Sequence, residues 1–165
     1  MVQILPVKSA LIHLMKPSIL RFIIFSSIIL TTLVSFVPGT SGSAVNDVLV
    51  HTNEFRKSKG LSQLKLHEGL NAIAQKHSAD MARKRVGFGH AGADRRNAQA
   101  RREIPSLRYF AENVAYGVPT GKAAVTGWKK SPGHRRNLLG RYKYIGIGTA
   151  KDRQGRIYYT QVFAG

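Results

Sequence analysis

The stretch Gly127–Gly140 reads GWKKSPGHRRNLLG and combines residues that neither a protein core nor a plain surface loop requires. Trp128 ends a segment with helical spacing, and Ser131-Pro132-Gly133 follows it with the composition of a turn. The next residue is His134, a titratable side chain between cations. Loops that join regular elements often carry binding or catalytic side chains. We therefore expect a functional histidine on a turn, with the arginines after it in solvent.

Composition restricts the classes of protein that this chain can belong to. The chain has 165 residues, which suits one domain, and its 26 lysines and arginines against eight acids give a formal charge of +18. It has no cysteine, so disulfides and thiolate zinc sites are excluded. A charge this high predicts anionic neighbours such as cell-envelope polymers, lipid headgroups or nucleic acid.

The N-terminal segment 1–44 differs from the rest of the chain. It contains three cations, no acid and an apolar run of 16 residues, Phe22–Val37, before small residues that end at Ala44. This layout is typical of a secretory signal peptide, because a membrane-spanning helix usually needs about 20 apolar residues. We predict a signal peptide over 1–44, with an uncleaved membrane anchor as the alternative. Initiation at Met15 instead of Met1 would give a more ordinary signal.

Residues 45–165 are predicted to form the folded domain, with 23 basic and eight acidic side chains and a formal charge of +15. The segments with helical spacing are 45–60, 67–85, 95–103 and 120–130. The β-rich segments are 142–150 and 156–164, which flank a turn with Gly155 and predict a hairpin. A short extended crossing is predicted at 61–66, and no regular element at 111–117. The fold class is therefore α+β, with helices packed on a small antiparallel sheet.

Three residues stand out as candidates for chemistry: His90, Glu112 and His134. Each of the two histidines lies on a glycine-flanked turn, and Glu112 is a rare acid in an apolar context. A buried acid must be paired, so Glu112 either forms a salt bridge or a helix cap, or faces the two histidines across a cleft. In the second case the three side chains make a divalent metal set with an open position, or an acid–base pair with tuned pKa values. The histidines predicted to be structural are His51, His67 and His77.

Six motifs in order resemble the CAP (SCP-like) superfamily of cysteine-rich secretory, venom-antigen and plant pathogenesis-related proteins, in its short cysteine-free bacterial form. They are HTNEFRKSKGLSQLKL…LNAIAQKHSADMA, GH, ENVAYG, GWKKSPGHRRNLL, YIGIG and YYTQVFA. The resemblance runs from about Asp47 to Ala164. It implies an α–β–α sandwich and secretion.

The resemblance also implies a central cleft in which two histidines and two glutamates hold a divalent ion such as zinc. The matching positions here are His90, Glu112 and His134, and Ser131 stands where the second glutamate belongs. A hydroxyl is a poorer ligand for a dication than a carboxylate, so we expect weaker metal binding. The expected metal ligands are therefore His90, Glu112 and His134, and Ser131 joins them as a ligand-binding residue.

Two functions from different classes follow from this cleft. The first is a secreted or cell-surface domain that binds a small, lipid or anionic cell-envelope ligand. The alternative is a metal- or His/Glu-assisted hydrolase outside the cytoplasm, with His90, Glu112 and His134 as catalytic candidates. A nucleophile–base pair of Ser131 and His134 is disfavoured, because the sequence identifies no donors for an oxyanion.

Non-specific nucleic-acid binding is a third hypothesis, based on charge alone. Export argues against it, and no nucleic-acid motif is present, so no specific nucleic-acid partner is expected. Contact with a membrane is expected only through residues 1–44, if they are not cleaved. The cations on which this hypothesis rests are Arg95, Arg96, Arg101, Arg102, Lys129, Lys130, Arg135 and Arg136.

Overall fold

The computed structural model describes residues 41–165, and side chains from Ala44 onward. The predicted leader therefore lies outside the described residues, apart from 41–44 in the first helix. The helices are α1 (Ser41–Lys57), α2 (Glu68–Ala82), α3 (Ala93–Glu103), α4 (Gly121–Lys130) and α5 (Pro132–Leu138). The strands are β1 (Lys65–Leu66), β2 (Phe110–Tyr116), β3 (Tyr144–Lys151) and β4 (Ile157–Ala164). The α+β class is confirmed. Within 41–165, no helix has both the length and the apolar character that crossing a membrane requires.

The four strands form one sheet in the order β1-β3-β4-β2. The predicted hairpin is present as β3 and β4, and β2 pairs antiparallel with β4 on the other side. The two-residue strand β1 runs parallel to β3, so the sheet is mixed and not purely antiparallel as predicted. A parallel pair needs a long crossover, and the whole segment between β1 and β3 supplies it here.

Helices cover both faces of the sheet, which confirms the α–β–α sandwich. Alternate residues of β4 point to opposite faces. Phe163 packs with Trp128 and Leu138 beneath α1, α4 and α5, whereas Val162 packs with Leu70 beneath α2 and α3. Each face therefore has its own apolar core, with the sheet between them.

Helix α2 lies unusually close to β3. A Cβ atom at Gly146 would overlap the backbone of Leu70, and one at Gly148 would overlap the backbone of Gln75. Only glycine permits this approach. This contact fixes the distance between α2 and the sheet. It thereby determines how far the side chains of α2 extend over the neighbouring strands.

A row of buried polar side chains crosses the other face of the sheet. Gln161 donates to the hydroxyl of Thr52 in α1 at 2.8 Å, and Asn113 donates to Gln161 at 3.3 Å. Asn137 in α5 donates to the side-chain oxygen of Asn113 at 2.9 Å. These bonds link α1, β4, β2 and α5, and they hold α5 beside the strand that carries Glu112.

Candidate functional site

The site is built around Glu112, whose side chain is 3 % exposed on β2. Arg96 of α3 grips this carboxylate with two hydrogen bonds, from Nε to Oε2 at 2.6 Å and from Nη2 to Oε1 at 2.8 Å. Such a bidentate, charge-assisted pair is among the stronger polar contacts in proteins. The salt-bridge alternative for Glu112 is therefore confirmed.

The guanidinium of Arg96 is buried, so Arg96 is not a surface cation of the kind on which the nucleic-acid hypothesis rests. Besides the carboxylate, it donates from Nη1 to the backbone oxygen of Ala91 at 2.9 Å and from Nη2 to that of His90 at 3.3 Å. Arg96 therefore ties the segment before α3 to β2. Sequence reasoning missed this residue, because its neighbour Arg95 has the same charge and is exposed.

His90 completes the contacts of the carboxylate. Its Nδ1 lies 2.9 Å from Oε1 of Glu112, and because a carboxylate accepts, Nδ1 carries the hydrogen. In the neutral ring this leaves Nε2 as the acceptor nitrogen. The side chain is 49 % exposed, so Nε2 belongs to an imidazole that a ligand can reach.

The carboxyl of Glu112 is ionised at neutral pH. Burial alone would raise its pKa, but hydrogen bonds from Arg96 and His90, together with the charge of Arg96, hold the pKa below its usual value. Glu112 is therefore negatively charged, and the positive charge of the adjacent Arg96 balances it.

His77, predicted to be structural rather than a ligand, lies in the same cluster. Its Nε2 donates to the backbone oxygen of Gly89 at 2.8 Å and lies 3.8 Å from Oε1 of Glu112. Burial lowers its pKa, and the charge of Arg96 lowers it further. His77 thus supports the segment that carries His90 as a neutral ring. The spacing of residues in the sequence did not indicate that His77 lies near Glu112.

His134 lies in the helix α5 and not on a turn, contrary to prediction. Pro132 stands at the start of this helix, where its fixed φ and missing N–H favour helix initiation. The His134 ring lies 6.5 Å from that of His90, centroid to centroid. Its pKa is lowered by partial burial and by the neighbouring His90. The structure therefore brings His90, Glu112 and His134 to one place.

Ser131 lies at the junction of α4 and α5. Its backbone N–H donates to Gly127 and Trp128, both at 3.3 Å, and its carbonyl receives the N–H of Arg135. Within residues 41–165 its hydroxyl makes no hydrogen bond to His90, Glu112 or His134. Its observed role is to end one helix and begin the next.

The residues present do not fit a dication as they are paired here. The carboxylate of Glu112 accepts three hydrogen bonds, two of them from a permanent cation. Among the described residues, no group of three or more His, Asp or Glu side chains is arranged to hold a metal ion. The imidazoles of His90 and His134 are the side chains of the site that a ligand can still reach.

An exposed aromatic surface adjoins the site in the chain, two residues before His90. Phe88 is 50 % exposed and packs on Tyr116, which is 46 % exposed, with 4.6 Å between ring centroids. Tyr116 in turn stacks on Tyr158 at 5.4 Å. Exposed aromatic clusters of this kind often mark interaction surfaces.

Comparison with known proteins decides the family. Residues 49–163 match the model of CAP, the cysteine-rich secretory protein family. The chain belongs to the CAP family. Two proteins of Bacillus subtilis (strain 168) resemble it: the uncharacterized membrane protein YlbC, 35 % identical over 119 residues, and the uncharacterized protein YkwD, 30 % identical over 138 residues. These alignments cover 70 % and 82 % of this chain but only 33 % and 52 % of the relatives, so the chain spans about a third to a half of their length.

Solved structures agree with the CAP assignment. An extracellular protein containing an SCP domain from Bacillus anthracis superposes with a TM-score of 0.65 at 27 % identity, covering 75 % of this chain and 41 % of that one. An outer surface protein of Borrelia burgdorferi shares the fold, with a TM-score of 0.62 at 20 % identity, covering 74 % and 92 % of the two chains. The sequence match thus shows the family, and the two solved structures show the fold.

Proposed function

We propose that this CAP domain acts outside the cytoplasm and binds an anionic ligand of the cell envelope in the cleft between His90 and His134. One observation carries the proposal. The carboxylate of the cleft, Glu112, is neutralised by Arg96, so the two imidazoles face the ligand beside a charge that is already balanced. A surrounding domain with 23 cations and eight acids favours an anionic partner further.

The proposed location rests on two independent features. The first is the leader-like composition of residues 1–44. The second is that the two solved proteins of similar fold are an extracellular protein and an outer surface protein.

The ligand class follows from the side chains that line the cleft and its neighbourhood. The His134 ring can donate one N–H to a phosphate or carboxylate oxygen, and Nε2 of the neutral His90 ring can accept the O–H of a hydroxyl or of a singly protonated phosphate. The aromatic surface of Phe88 and Tyr116 offers apolar contact. A phosphate-bearing lipid or an anionic polymer with an apolar part would satisfy both. The chemistry shared by these ligands is the anionic oxygen.

Binding to defined anionic probes tests this function. The exported protein, produced with its own residues 1–44, is titrated with phosphatidylglycerol vesicles and with soluble poly(glycerol phosphate). The double variant His90→Ala/His134→Ala should bind the preferred probe about tenfold or more weakly, the loss of about 1.4 kcal/mol. The matched control His51→Ala removes an imidazole from the surface of α1 and should bind like the native protein.

Salt dependence gives the second readout of the same experiment. Binding should weaken as ionic strength rises, because added ions screen exposed charges. Equal binding by the double variant and the native protein would show that the cleft is not the binding site. Binding that is unaffected by salt would contradict the anionic character of the ligand.

Hydrolysis is the second candidate, and one contact favours it. The hydrogen bond from His90 Nδ1 to Glu112 orients the imidazole in the manner of a carboxylate-supported general base. Turnover of an ester, peptide or glycan that is lost in both His90→Ala and Glu112→Gln would support this candidate. If the native protein turns over none of these substrates, ligand binding remains the proposed function.

A further inference from the structure

We propose that Arg96 supplies the positive charge that a divalent ion would otherwise supply in this site. The pairing of its guanidinium with Glu112 excludes such an ion, and the native protein assembles the site without metal. This inference concerns the cation of the cleft and does not depend on which ligand the cleft binds. It explains why a carboxylate and two histidines lie together without forming a metal donor set.

The first step of the argument is the saturation of the carboxylate. Glu112 has about four acceptor positions on its two oxygens. Arg96 fills two of them and His90 a third. A dication at the remaining position would lie beside a guanidinium, which does not lose its proton in proteins. An entering metal therefore cannot lower the repulsion by displacing a proton from this neighbour, as it could from a lysine.

The second step is that Arg96 already makes the connection that a bound metal would make. Its donors reach the carboxylate on β2 and the backbone oxygens of His90 and Ala91, in the segment before α3. One planar group thus joins strand, loop and helix. The position of His90 is set by this group together with the hydrogen bond to Glu112, so an ion is not needed to order the site.

The third step concerns what the pairing suppresses. Without the guanidinium, the carboxylate of Glu112 would remain within hydrogen-bond distance of His90, with the ring of His134 at 6.5 Å from the ring of His90. One carboxylate and two imidazoles are the donor set of a zinc site with an open position. Arg96 is therefore the residue that decides between an internal ion pair and a metal site.

The test compares zinc binding in four forms of the untagged full chain. They are the native protein, Arg96→Met, the matched control Arg95→Met on the same helix, and the double variant Arg96→Met/Glu112→Gln. Thermal unfolding is followed with and without zinc, and zinc binding is measured by titration calorimetry after treatment with a chelator. Arg95→Met keeps every other zinc-binding side chain, so any adventitious surface binding is the same in it as in Arg96→Met.

The expected result is specific to one variant. A ligand that binds the folded state raises the melting temperature in a concentration-dependent way. Zinc should raise the melting temperature of Arg96→Met and bind it with one more site than Arg95→Met. The native protein and Arg95→Met should show no such rise, the chelator should leave their melting temperatures unchanged, and the double variant should lose the added site.

Two results would overturn the proposal. One is a zinc site in the native protein that disappears in His90→Ala. The other is a folded Arg96→Met that binds no more zinc than Arg95→Met. If Arg96→Met folds only with zinc, the proposal is supported, because the metal then replaces the missing cation. If it folds under neither condition, the native protein and the double variant decide: zinc-independent stability in both supports the proposal, and zinc binding at His90 in the native protein overturns it.

Discussion

The side chain of Asn137 in α5 donates to the side-chain oxygen of Asn113 in β2 at 2.9 Å. The same amide nitrogen lies 3.0 Å from the backbone oxygen of Glu112, and Asn113 in return donates to the backbone oxygen of His134 at 3.3 Å. The helix that carries His134 is therefore fastened directly to the strand that carries Glu112. The separation of the two histidines depends on this connection.

Replacing Asn137 by alanine should loosen α5 from β2. Leaving buried acceptors without a partner costs about 1–3 kcal/mol, so the free energy of unfolding should fall by that amount. Ligand affinity should fall as well, because His134 loses its fixed position. Chemical denaturation measures the first effect, and Arg136→Ala on the exposed side of the same helix is the control. An unchanged affinity in Asn137→Ala would show that α5 does not need this anchor to bind ligand.

Acid should destabilise the protein in two stages. His77 and His134 have pKa values below the usual 6.5 in the folded state, so the unfolded chain binds more protons as the pH falls. Their contribution to stability is present above pH 6.5 and is lost below it. Glu112, whose pKa is lowered from 4.5, adds a second loss as the pH falls below that value.

The melting temperature should therefore fall steadily from pH 7 to pH 4. The variant His77→Gln keeps an amide donor for Gly89 but does not titrate, so its melting temperature should fall less between pH 7 and pH 5. Differential scanning calorimetry across this range checks both statements. An identical pH dependence of His77→Gln and the native protein would mean that His77 is not a buried neutral ring.

Two glycines should respond to alanine in opposite directions. Gly146→Ala places a methyl group against the backbone of Leu70, and overpacking of this kind costs about 1–3 kcal/mol. Gly127 lies in α4 with no atom near its potential Cβ, so Gly127→Ala should stabilise the protein by about 0.5–1 kcal/mol. Denaturant unfolding curves of the two variants provide the comparison. A destabilised Gly127→Ala would contradict the open surroundings of that position.

The exposed aromatic surface separates the two forms of the proposed ligand. Phe88→Ala removes a half-exposed ring, and surface substitutions of this kind change stability by less than about 0.5 kcal/mol. Binding to phosphatidylglycerol vesicles should weaken if the ligand is a lipid, because the ring loses apolar contact. Binding to poly(glycerol phosphate) should be unchanged. A vesicle affinity equal to that of the native protein would place the ligand away from Phe88.

The sequence predicted the fold class, the sandwich, the hairpin and the grouping of His90, Glu112 and His134, because these depend on periodicity and on motifs in a fixed order. The strand β2 escaped prediction for a physical reason. Its residues Glu112 and Asn113 are polar and buried, so the apolar alternation that reveals a strand is interrupted where the site begins.

Arg96 escaped prediction because charge patterns do not distinguish a buried arginine from exposed ones. Helix α3 carries four arginines, and only the contact with Glu112, 16 residues further along the chain, selects Arg96 as the buried partner. The helical state of His134 was missed for a different reason. Proline and glycine at Pro132 and Gly133 favour a turn, but the same proline is suited to the first position of a helix.

The buried row from Thr52 to Asn137 has a consequence for how the molecule opens. A shift of β2 by one residue would place Asn113 among the apolar side chains of the opposite face, so this row sets the strand register. Helices α1 and α5 are 75 residues apart in sequence between Lys57 and Pro132 but share this hydrogen-bonded chain. Amide hydrogen exchange should therefore protect them as one cooperative unit. We expect the first described helix and the helix that holds His134 to open and close together.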